Sequence, residues 1–166
     1  STVSIAKLTA TGTKNSTTFL RGDNTFAAPS GGKVLQVLTA TDSTERTTSS
    51  ASYVTASSTL SIAITPAATS SKIYVMADFT GKTTNTGRIF YTLFRASTNI
   101  GATNGLNILE NFSGGVMAVP VNLAILDSPS TTSATTYTVQ MRVENAAGAM
   151  NYLSTLGSIT VMEIGA

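Results

Sequence analysis

From Lys33 onward the sequence falls into short runs rich in β-branched and aromatic residues: VLQVLTA, YVTA, LSIAIT, KIYVMADF, RIFYTLFR, MAVPVNLAIL, TYTVQMRV and SITVMEI. Runs of this length, set apart by turn residues, are the pattern of a sandwich or barrel. Two of them alternate. Leu60, Ile62 and Ile64 share one face, as do Val139, Met141 and Val143, opposite Thr138, Gln140, Arg142 and Glu144. A period of two with one apolar face predicts half-buried strands. Pro120 has no amide hydrogen for a ladder, so it predicts an edge, a bulge or a strand start. Helical periodicity is nearly absent. The predicted fold class is all-β, an antiparallel β-sandwich of jelly-roll-like form.

The chemistry available on such a scaffold is narrow. The chain has no His, Cys or Trp, while Ser and Thr supply 50 of its 166 residues. General acid–base work near neutral pH leans on His, and soft metal sites on His or thiolate. An activated Ser needs an adjacent base. The sequence therefore predicts no enzyme, no cofactor and no metal. Threonine's branched Cβ favours extended backbone instead, and its hydroxyl gives a strand a neutral polar face. Charged residues make up only 11%, and ten Lys and Arg against eight Asp and Glu leave +2 with no basic cluster. Nucleic-acid binding through phosphate contacts is not expected. Without cysteine there is no disulfide framework. The opening STVSIAKLTATG lacks a basic start and an apolar run, and no stretch approaches the 18 or so apolar residues of a spanning helix. Neither secretion nor membrane insertion is expected.

The run Ile89-Phe90-Tyr91-Thr92-Leu93-Phe94 places large apolar groups on both faces, and in SITVMEI Ile159 and Val161 oppose Met162 and Ile164. Strands that are apolar on both sides need cover on both sides. A second subunit over Phe90 and Phe94 is the expected cover, with a helix or loop of the same chain as the alternative. Composition shifts at Ala27-Ala28-Pro29-Ser30-Gly31-Gly32. That predicts an extended N-terminal arm over 1–32 and a sandwich domain over 33–166. The arm's apolar residues, Val3, Ile5, Leu8, Phe19, Leu20 and Phe26, are too dispersed to bury one another, so they are expected to dock elsewhere, with 22–24 making a reversal.

Several short matches carry little. Arg21-Gly22-Asp23 is the integrin-binding tripeptide, but Gly22 with Asp23-Asn24 is an ordinary turn signal. Gly81-Lys82-Thr83 resembles the end of a phosphate-binding loop, yet Met76 stands where its first glycine belongs. Ser71 and Lys72 are adjacent on a strand and so point apart. The carboxylates show no glycosidase or calcium-loop spacing. Asn15-Ser16-Thr17 and Asn111-Phe112-Ser113 fit the glycan-acceptor pattern, which matters only in a secreted chain.

Residues 12–29, GTKNSTTFLRGDNTFAAP, resemble the G-T-x-x-S-T-x-L-R-G-D-x-T-W linker before distal domains of tailed-bacteriophage fibres, with Phe26 where tryptophan is usual. Downstream, GKVLQV at 32–37, ITPAATSSKIYVMA at 64–77, LFRASTNIG at 93–101 and LDSPSTTSATTYTVQ at 126–140 resemble a β-sandwich knob of marine-phage and cyanophage virion proteins. The resemblance implies a non-enzymatic homotrimer on the virion surface, made in the host bacterial cytoplasm and joined to other tail or capsid proteins. It implies a short fibre or knob that adheres to a host-surface glycan or protein. Because little chain precedes the knob, a capsid decoration protein that reinforces the head lattice is the alternative. Binding groups gather on loops carried by a rigid scaffold. The loops expected at 82–88, 101–107 and 145–151 therefore make Lys82, Asn85, Arg88, Asn104, Asn107, Asn145 and Asn151 the candidate receptor contacts.

Overall fold

The computed structural model describes residues 10–27, 33–84 and 86–165 of a chain that divides into two units, Ser1–Gly32 and Lys33–Ala166. In the first unit, β1 (Phe19–Leu20) pairs antiparallel with β2 (Phe26–Ala27), and Thr11 bridges to Thr25. The reversal lies where the glycine and asparagine place it. Asn24 has a φ of 62° and its amide donates to Arg21 O at 3.0 Å, while the Arg21 amide donates to Thr25 O at 2.7 Å. The Asp23 carboxylate accepts from the Thr25 hydroxyl at 2.6 Å and the Thr25 amide at 3.1 Å. Those bonds lower its pKa, the hydroxyl contributing most, and commit the acidic end of the Arg-Gly-Asp triplet to its own turn. Gly12 is required where it stands: its φ is +91°, and a Cβ there would lie 2.2 Å from Phe26 O.

The second unit holds β3 (Val34–Asp42), β4 (Arg46–Thr48), β5 (Val54–Thr55), β6 (Ser61–Ile64), β7 (Lys72–Thr84), β8 (Gly87–Arg95) and β9 (Thr98–Asn99). It continues with β10 (Asn107–Asn111), β11 (Val116–Asp127), β12 (Thr135–Glu144), β13 (Ala147–Met150) and β14 (Gly157–Ile164). They form two antiparallel sheets of six strands. In one, the long β7 pairs from Ile73 to Thr84 with β11 on one side. On its other side it meets β14 and then β13, which pair in turn with β3 and β4. In the other sheet β8 lies between β12 and the tandem β10 and β9, and β12 is bordered by β6 and β5. The architecture is the antiparallel β-sandwich the periodicity predicted. Pro120 sits on β11, whose only described partner is β7, so an edge accommodates it.

Alternation puts Ile73, Val75, Ala77 and Phe79 of β7 and Ile159 and Val161 of β14 on one inner face, against Ile89, Tyr91 and Leu93 of β8 and Tyr137, Val139, Met141 and Val143 of β12. All are buried, and Phe79 meets Tyr91 edge to face with ring centroids 4.9 Å apart. Fully burying a side chain of this size contributes about 1.5–3 kcal/mol.

The outer face of β8 is covered by the chain itself. Phe90 is only 3% exposed, with the Arg142 guanidinium 3.7 Å from its ring centroid. That guanidinium also lies 5.3 Å from the Tyr53 ring, which in turn meets Phe94 at 5.8 Å. Tyr53 is delivered by a segment tied to β12 through Val143 N to Ser50 O and Ala56 N to Val139 O. A second loop closes down through Ile100 N to Leu93 O and Leu106 N to Tyr91 O. At Phe90 the cover expected from another subunit is thus supplied by the chain itself, while Phe94 remains half-buried. Two segments predicted as loops are in part strand, since β7 runs through Thr84 and β13 occupies 147–150.

Candidate functional site

Register builds the site. Glu144 of β12, Arg88 of β8 and Glu110 of β10 are directly opposite one another on adjacent strands, at the end of the sandwich where turns leave all three. Arg88 donates from Nε to Glu110 Oε1 at 2.6 Å and from a terminal nitrogen to Glu144 Oε2 at 3.5 Å. Its pKa is raised by the Glu110 hydrogen bond first and then by the charges of both carboxylates. Since both carboxylates hold one cation, the trio is an ion triad rather than a free acid and base flanking a substrate bond.

Two open cavities adjoin this triad. One of about 220 Å³ is lined by Thr86, Gly87, Arg88, Glu110, Asn111, Phe112, Glu144 and Asn145. The other, about 630 Å³, runs from Glu144 and Asn145 past Ala146 to Ser49, Ala51 and Arg142. Glu144 and Asn145 therefore wall both. Asn145 takes a left-handed φ of 56°, which asparagine tolerates better than most residues. Phe112 projects at the tip of the β10–β11 turn and is 78% exposed. Asn111 holds that turn from inside, accepting from Ser113 N at 3.1 Å and donating to Gly115 O at 3.1 Å. The result is an aromatic ring beside amides and charged groups on a rigid strand end, suited to holding a polar ligand by hydrogen bonds and ring contact.

Of the predicted receptor contacts, Arg88 and Asn145 meet at this end, and Asn85 lies outside the described residues. Asn104 is elsewhere, on the loop over the outer β8 face, where its side-chain oxygen accepts from Arg142 at 3.1 Å. Asn107 opens β10 opposite Tyr91. One prediction is corrected. Asn151 is fully buried, and its side-chain nitrogen donates to Asp42 O at 2.8 Å and Thr44 O at 3.3 Å, so it fastens loops together. Lys82 is half-buried, its Nζ 3.4 Å from Glu45 Oε1 and 4.4 Å from the Tyr152 ring centroid.

Among the arm residues, Val3, Ile5 and Leu8 fall outside the described residues, Phe19 and Leu20 are exposed, and Phe26 is half-buried. The reading of single residues missed Phe112, Glu110 and Glu144. A signal for Phe112 existed in Phe112-Ser113-Gly114-Gly115, an aromatic beside a glycine pair in a turn. Among the described residues no three carboxylates gather as cation ligands.

No family model matches the chain, and no curated protein matches it. Among solved structures it is similar to that of infectious bursal disease virus, Gx strain, at 11% identity with a TM-score of 0.43, over 84% of this chain and 39% of that one. It is also similar to a mutant VP2 protein of infectious bursal disease virus from derived T=1 particles, at 15% identity with a TM-score of 0.34, over 83% and 38%. The chain spans about two fifths of the length of the structures it matches.

Proposed function

We propose that this chain is a non-enzymatic structural protein of a tailed-phage virion, displayed on the particle surface as a short fibre or knob that adheres to the host. The end of the sandwich bearing Arg88, Phe112, Glu144 and Asn145 is the adhesive surface. The observation that carries the reading is Phe112: a large apolar ring 78% exposed at a turn tip serves no core, and it stands beside a polar cavity built on strand ends. Surface groups of this kind on a rigid scaffold are the usual form of a binding site. The phage-linker resemblance at 12–29 supplies the virion setting and synthesis in the host bacterial cytoplasm. The ligand is a host-surface glycan or protein, and no cofactor is involved.

Capsid decoration is the second reading, favoured by the apolar side chains left open on the outer face of the β7 sheet, Val37 and Leu126 among them. The experiment is binding of fluorescently labelled protein to host cells and, separately, to undecorated capsids. Adhesion predicts binding to cells that is lost in the double variant Phe112→Ser, Asn145→Asp at an unchanged melting temperature. Binding to capsids alone, or cell binding indifferent to that double variant, overturns the adhesive assignment.

A further inference from the structure

The outward residues of the first half of β7 are, in order, Lys72, Tyr74, Met76 and Asp78, with the two charged ones exposed and the two apolar ones half-buried. Register places Leu126 of β11 and Met162 of β14 on either side of Tyr74, and Val37 of β3 beyond Met162. An apolar row thus crosses four strands in the open, with Leu126 57% and Val37 52% exposed at its ends. An apolar surface of this continuity on a sheet marks an interaction site. The charges say what covers it. Lys72 donates to the Ser128 hydroxyl at 2.7 Å, and Asp78 accepts from the Asn122 side chain. Among the described residues neither makes an ion pair.

We propose that this face binds a second copy of the chain, stacked antiparallel about a two-fold axis at the level of Val75. That axis sets Lys72 against the partner's Asp78 and Tyr74 against the partner's Met76. Two-fold symmetry repeats each contact, so one strand provides two ion pairs flanking two aromatic–thioether contacts. A parallel stack would set lysine on lysine. Sheets packed face to face lie about 10 Å apart with strands within roughly 30° of alignment, which keeps two central β7 strands in contact along this row. The interface is independent of the adhesive end.

The test is sedimentation equilibrium of the full chain with charge reversals. The wild type is expected as an even-numbered assembly, at its simplest twice the 17.1 kDa chain mass. Lys72→Glu and Asp78→Lys each weaken association about tenfold or more, and the two combined restore it to within about threefold of wild type, because the pairs re-form with signs exchanged. Leu126→Ser, at an exposed site, also weakens association, and serves if a reversal disturbs folding. A monomeric or trimeric wild type overturns the proposal, as do single reversals without effect or a combined variant that stays dissociated.

Discussion

The hydroxyl of Tyr91, carried by the β8 sheet, donates across the core to the backbone carbonyl of Ala149 in the β7 sheet. It also accepts from the Lys82 amide at 3.3 Å, so one phenol joins the two layers at a point sealed from solvent. Burial pushes its pKa far above that of an ordinary phenol. Space for it is made by Gly81, where a Cβ would lie 2.9 Å from the oxygen and 2.7 Å from Val121. Tyr91→Phe removes both bonds at this buried point and is expected to cost about 1–3 kcal/mol, read as a lower urea midpoint with an unchanged slope.

Acid weakens the fold through carboxylates that are buried yet ionised. Burial alone would raise the pKa of Asp42, but bonds from the Ser57 hydroxyl at 2.6 Å, the Thr44 amide and Arg46 outweigh it and hold it at about 2. In buried Glu163 burial is likewise outweighed, by bonds that include those from Gln36 and the Ala67 amide, and its pKa is lowered. A depressed carboxylate stabilises the fold above its unfolded pKa, near 3.8 for Asp42, and that contribution is lost as pH falls through its folded value near 2. After screening by solvent, Asp42 contributes about 1 kcal/mol at neutral pH. Asp42→Asn is expected to lower stability at neutral pH and flatten its dependence between about pH 4 and 2 in urea titrations.

The two phenylalanines on the outer face of β8 should separate in cost. Phe90→Ala opens a buried site and is expected to cost about 3–5 kcal/mol, whereas half-buried Phe94 should cost roughly half as much. Equal costs in thermal unfolding would mean that Tyr53 seals Phe94 as fully as Arg142 seals Phe90.

Removing residues 1–32 should leave the sandwich folded, because among the described residues nearly all of the buried apolar core comes from those after 33. Circular dichroism of 33–166 is expected to keep the β-rich spectrum and a cooperative melt. A truncated chain that fails to fold would make the arm part of the sandwich.

What was legible in the sequence was what period two encodes. Val139, Met141 and Val143 are in the core because every second residue of β12 must face one way, and no distant information is needed to say so. What covers the outer side of a strand is a different matter. Phe90 is covered by Arg142 and Phe94 meets Tyr53, partners 52 and 41 positions away, and pattern along one strand does not name them. Asn151 misled for a related reason. An asparagine between strands reads as a surface turn, and only the assembled loops reveal two carbonyls, of Asp42 and Thr44, waiting for its amide. The ion triad was hidden similarly, since Arg88, Glu110 and Glu144 become neighbours only through the ladder.

The long reach of that ladder also sets an order of events in time. Strand β3 finds its described partner only in β14, more than a hundred residues further along. Closing so large a loop is entropically late, and sheets built on distant pairings form slowly. Until β14 is in place, Val34, Leu35, Val37 and Leu38 lack their strand partner, and even in the finished fold they stay substantially exposed. Dilute conditions during refolding should therefore raise yield more than any single stabilising substitution, since the competitor for that strand is another nascent chain.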